Sequence, residues 1–85
     1  MPDDQNTFEE LKQAAEEARK EGEYDQAIEL CDKAIQMNPE DAECWYWRGL
    51  AYDNKDEYDK AIENYDRAIN LKPEEAQYWY WRGLA

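Results

Sequence analysis

Trp45-Tyr46-Trp47-Arg48-Gly49-Leu50-Ala51 recurs without a change as Trp79-Tyr80-Trp81-Arg82-Gly83-Leu84-Ala85, at an offset of 34 residues. Seven identities at a fixed offset define a repeat. A period between about 20 and 50 residues marks an array whose units bury their apolar faces only against neighbours. The same offset relates Pro39 to Pro73, and it relates the run Tyr24, Ala27, Ile28, Cys31, Ala34, Ile35 to Tyr58, Ala61, Ile62, Tyr65, Ala68, Ile69. Each run places its apolar residues on one helix stripe.

Read in this register, the chain resolves into helices. Met1 to Asn6 is short and polar, contains Pro2, and is expected to fray. Thr7-Phe8-Glu9-Glu10 has the form of a capping box and starts a first helix, whose Leu11, Ala14, Ala15 and Ala18 share one face. Gly22 supplies the freedom for a turn, and Asp56 holds the equivalent place with more difficulty. Asn38-Pro39 ends the second helix, because proline disfavours helical geometry in the residue before it and cannot donate a hydrogen bond. The spacing predicts helices near 7–21, 24–37, 41–54, 57–71 and 74–85. Gly49 and Gly83 fall inside helices, where Gly costs about 1 kcal/mol relative to Ala. Close approach of a neighbouring helix is the expected reason.

Composition narrows the function classes. An 85-residue chain has room for one compact unit, since domains usually hold about 50 to 200 residues. Seven Tyr, four Trp and Phe8 supply a core, and three Gly and three Pro interrupt it little. The net charge is −12, with 13 acidic against four basic side chains in the first 41 residues, which makes nucleic acid and anionic membrane poor partners. Cys31 and Cys44 stand without any His, too few ligands for a zinc site, and they are expected to be free, buried thiols. No metal or cofactor is implied. No window approaches the roughly 18 apolar residues of a membrane span and no signal peptide opens the chain, so a cytoplasmic setting is the default expectation.

Helix, turn, helix and Pro at this period, with Trp45, Gly49, Tyr52, Ala61, Tyr65, Ala68 and Pro73 filling the signature places of residues 42–75, resemble the tetratricopeptide repeat. Residues 8–41 match less closely, with Leu11, Ala15 and Ala18 where large, small and aromatic residues belong and Cys31 in an aromatic place. The resemblance implies an all-α, right-handed superhelical stack of antiparallel helix hairpins: a single domain over 1–85 with repeat 1 at 8–41, repeat 2 at 42–75 and half a repeat at 76–85. A unit cut after its first helix reads as a fragment of a longer array or an engineered protein, with an aromatic surface left to associate. A homo-oligomer, most simply a dimer joined around Trp79, Trp81 and Gly83, is the expectation that follows.

The resemblance also implies that the first helix of each unit lines a concave groove. Tyr46, Trp47 and Leu50, with Tyr80, Trp81 and Leu84, take the groove places, whereas Trp45 and Trp79 take the packing places. Tyr52, Tyr58 and Tyr65 are expected in the core or at an interface. Relatives that grip acidic tails use Lys, Asn and Arg in this groove; here Lys12 matches, but Glu16, Trp47, Gln77 and Trp81 do not. A protein or peptide segment with apolar anchors and some Lys or Arg suits the aromatic groove and its flanking Glu9, Glu16, Glu43 and Asp53 better. Acid/base catalysis needs shifted carboxylates in a desolvated pocket, which a thin helical array offers poorly. The expectation is a non-enzymatic protein-interaction module, with self-assembly as the alternative.

Overall fold

The computed structural model describes residues 7–84 and contains five helices there: α1 (Phe8–Lys20), α2 (Tyr24–Met37), α3 (Ala42–Asn54), α4 (Tyr58–Leu71) and α5 (Ala76–Leu84). Each boundary falls within two residues of the sequence expectation. The expected fraying of residues 1–6, and Ala85, lie outside the described residues.

Local chemistry sets the ends. The Glu10 amide donates to Thr7 Oγ1 at 3.2 Å while the Thr7 amide donates to Glu10 Oε1 at 3.0 Å, closing the capping box on α1. The Asp41 side chain accepts from the Glu43 amide at 3.0 Å and caps α3. Gly22 has φ +83°, and Asp56 takes the same left-handed place with φ +64°. The Tyr58 hydroxyl donates to Asp56 Oδ1 at 2.7 Å. That bond holds Tyr58 at the surface, 46% exposed, so the expectation of a packed Tyr58 is corrected.

The helices pack in chain order, α1 on α2, α2 on α3, α3 on α4 and α4 on α5, with α1 also reaching α3. The result is an all-α solenoid of antiparallel hairpins. Small residues make the close packing possible: Ala15, Ala27, Ala34, Ala51, Ala61 and Ala68 are each at most 1% exposed. Gly49 shows why its Cβ is missing. A methyl group there would lie 2.6 Å from Tyr65 Cε1 and 3.3 Å from the Ala61 carbonyl, inside van der Waals contact. The fully buried Tyr65 ring fills that space and its hydroxyl donates to Asp53 Oδ2 at 3.0 Å.

Cys31, in the Tyr65 place of the preceding hairpin, is buried and free, as is Cys44. Burial pushes both thiols from near 9 to about 12, so they stay protonated at neutral pH. Asn64 is the buried polar residue of α4; it accepts from Arg48 Nε at 2.8 Å and donates to the Lys60 carbonyl at 2.8 Å, which satisfies it.

Candidate functional site: the concave cleft

The inner sides of α1, α3 and α5 enclose a cleft of about 480 Å³, with Tyr46 and Leu50 at its floor and Trp47 and Trp81 in its walls. Glu16 and Arg19 come from α1, Asp53 and Asn54 from the end of α3, and Gln77 from α5. A smaller cleft of about 270 Å³ adjoins it across Glu16, Tyr46, Trp47 and Gln77, and adds Glu43, Lys72, Glu75 and Tyr78. The whole stack measures 43 × 26 × 16 Å.

Tyr46 and Leu50 were expected to face the groove away from the core. Both are instead core residues, each 8% exposed, that show only an edge to the cleft. The cause is α5. Tyr78 packs its ring 4.8 Å from that of Tyr46, which also lies 6.2 Å from Tyr65, so three tyrosines from three helices fuse into one cluster. Tyr78 was not singled out from the sequence, although its repeat counterpart Cys44 is equally buried.

Tyr80 and Leu84 do not line the cleft; they are 62% and 61% exposed. They repeat Tyr46 and Leu50, but among the described residues no later helix lies over them. Trp81 is brought into the cleft, with the Tyr80 ring edge-on to it at 5.4 Å. Trp45 is half-buried, not fully packed away, and Trp79 is exposed; their indole Nε1 groups donate to the Pro39 and Pro73 carbonyls at 2.8 and 2.9 Å.

Charges set the character of the walls. Lys12 is held by Asp41 at 3.0 Å and Glu43 at 2.9 Å, with its ammonium 5.7 Å from the Trp47 ring. Burial disfavours its charge, but the hydrogen bonds to Glu43 and Asp41 outweigh that and its pKa is raised. Lys12 is thus tied to the cap and first turn of α3 and is not a free clamp. Arg19 is the cation the sequence reading missed. Its Nε is buried without a hydrogen-bond partner among the described residues, at the edge of the cleft. Its position three residues after Glu16 on α1 was the available signal, since i and i+3 share a helix face.

Among the described residues no cluster of three His, Cys, Asp or Glu side chains can hold a metal, and no helix is long and apolar enough to cross a membrane. Known proteins bear on the fold and family. The chain superposes on an ArsTM double mutant of MamA RS-1 with a TM-score of 0.88 at 30% identity, covering 93% of this chain and 44% of that one. It matches MamA AMB-1 with a TM-score of 0.76 at 25% identity, over 86% of this chain and 40% of the other. A third structure, MamA 41-end from Desulfovibrio magneticus RS-1, shares the fold with a TM-score of 0.53 at 24% identity, over 94% of this chain and 64% of the other. The chain therefore spans less than half the length of the first two. No curated protein matches it significantly. A family model described as tetratricopeptide repeat matches residues 12–73 and again 52–85. With the stacked hairpins and the repeat spacing, this match means that the chain belongs to the tetratricopeptide repeat family.

Proposed function

We propose that the chain is a non-enzymatic protein-interaction module that holds a peptide segment, extended or helical, in the cleft between α1, α3 and α5. The observation that carries this reading is the cleft of about 480 Å³ whose walls are two indoles, Trp47 and Trp81. Large rings anchored on rigid helices lose little side-chain entropy on contact and bury much area, so they serve as binding anchors. Glu16 and Asp53 favour Lys or Arg on the peptide, and the unpartnered Nε of Arg19 favours a carbonyl or carboxylate at that end of the cleft. Selection of peptides from a displayed random library, followed by titration, tests the reading. The Trp47→Ala, Trp81→Ala double variant is expected to bind the selected peptide about 30-fold more weakly or worse. Unchanged affinity in the double variant contradicts it.

A second reading, association of two chains through α5, draws on Trp79 at 51% exposed and on the open surface at Gly83. It predicts a dimer mass by sedimentation at high micromolar concentration, and a monomer there counts against it.

A further inference from the structure

Two indoles of this chain carry cations that carboxylates hold in place. The Arg48 guanidinium lies 4.8 Å from the Trp45 ring and is bonded to Asp32, and Arg67 reaches the same ring at 5.0 Å. The Lys12 ammonium lies 5.7 Å from the Trp47 ring and is held by Asp41 and Glu43.

Trp81 departs from this pattern. It repeats Trp47, but the residue that repeats Lys12 at the offset of 34 is Tyr46. A phenol from α3 thus stands where α1 supplies an ammonium one unit earlier, and among the described residues no cation lies over Trp81. The oxygens that would hold a cation are nonetheless present. Glu16 lines the cleft and makes only a long ion pair, 3.8 Å, with the exposed Lys20. Asp53 gives Oδ2 to the Tyr65 hydroxyl, and Asn54 gives its amide N–H to the Leu50 carbonyl, which leaves Oδ1 of each as an acceptor. Against these oxygens the cleft lining holds one cation, Arg19.

Resting on the peptide reading above, we infer that the cleft is built for an arginine side chain of the partner peptide. Its guanidinium lies between the Trp47 and Trp81 indoles and donates to Glu16, while Arg19 donates to a main-chain carbonyl of the same peptide. Charge complementarity selects a cation here over an acidic or neutral side chain. Arginine suits the place better than lysine. Its plane stacks on an indole, it is more weakly hydrated, and its five N–H groups reach more than one acceptor. A peptide brings the carbonyl for Arg19 with it, which a free guanidinium ion does not.

The probe is the blocked tripeptide acetyl-Gly-Arg-Gly-amide, titrated into the protein while NMR follows the indole N–H signals of Trp47 and Trp81. Saturable shifts of both signals at millimolar concentration are the expected result. Citrulline in place of the arginine, a neutral group of the same shape, is expected to weaken binding about tenfold or more, and lysine about threefold. N-methylguanidinium, which lacks the carbonyl, is expected to bind about fivefold more weakly or worse. Glu16→Gln is expected to weaken the tripeptide about threefold with the melting temperature unchanged, because the pair with Lys20 is at the surface. The arginine anchor is overturned if the tripeptide does not saturate, if citrulline or lysine binds as well as arginine, if N-methylguanidinium matches the tripeptide, or if Glu16→Gln binds as tightly as the parent. Library-selected peptides that depend on Trp47 and Trp81 but carry no arginine overturn the anchor and leave the peptide reading standing. Selected peptides indifferent to both indoles overturn the two together.

Discussion

Gly49 and Gly83 are the same residue of the repeat in two environments, and this separates backbone propensity from packing. Both carry the cost of about 1 kcal/mol that Gly imposes in a helix. Only Gly49 has Tyr65 against it. Gly49→Ala is therefore expected to destabilise the chain by about 1–3 kcal/mol through overpacking, whereas Gly83→Ala is expected to stabilise it by up to about 1 kcal/mol, both measurable by urea unfolding. Equal effects contradict the assignment of Gly49 to the Tyr65 contact. Asp56 offers a further residue-scale test. A non-Gly residue at φ +64° is strained, so Asp56→Gly is expected to raise stability by about 0.5–1 kcal/mol even though the surface bond from Tyr58 is lost.

Among the elements, α1 depends on its start. The reciprocal Thr7–Glu10 bonds close its first turn, so Thr7→Ala is expected to lower stability by about 1 kcal/mol, with faster amide exchange confined to the first turn of α1. The helices themselves were legible in the sequence because caps, Pro39, Pro73 and the 34-residue copy all agree. The faces of α3 and α5 were less so. Tyr46 and Leu50 share a helix side that family resemblance assigns to the groove, yet Tyr78, 32 positions away in sequence, rolls onto Tyr46 and encloses it. Tyr80 and Leu84 have the identical local sequence and the opposite exposure. Their environment is set by the next element of the stack, which no local pattern encodes. Arg19 escaped notice for a related reason, since its place in the cleft depends on how α1 leans on α3.

At the scale of the whole molecule, the core ionises unwillingly. Burial raises both thiols from near 9 to about 12, and burial together with Glu75 raises Tyr78 from 10 to about 12. These groups are neutral in the native state and ionise more readily when unfolded, so the folded chain binds more protons at alkaline pH. Stability from this source is complete below about 9 and is lost progressively as pH rises toward 12. Urea midpoints are expected to be flat between pH 7 and 8.5 and to fall above 9, and the thiols are expected to react with a disulfide reagent only as fast as the chain opens.

The concave cleft is the feature on which the functional account rests, and it faces one side of the stack. Backbone NMR shifts recorded while a library-selected peptide is titrated to saturation test it most directly. The predicted result is a set of changes gathered on Glu16, Arg19, Trp47, Asp53, Gln77 and Trp81, the residues that α1, α3 and α5 turn toward one another. Changes gathered instead on the outward sides of α2 and α4, with Trp47 and Trp81 unmoved, contradict it.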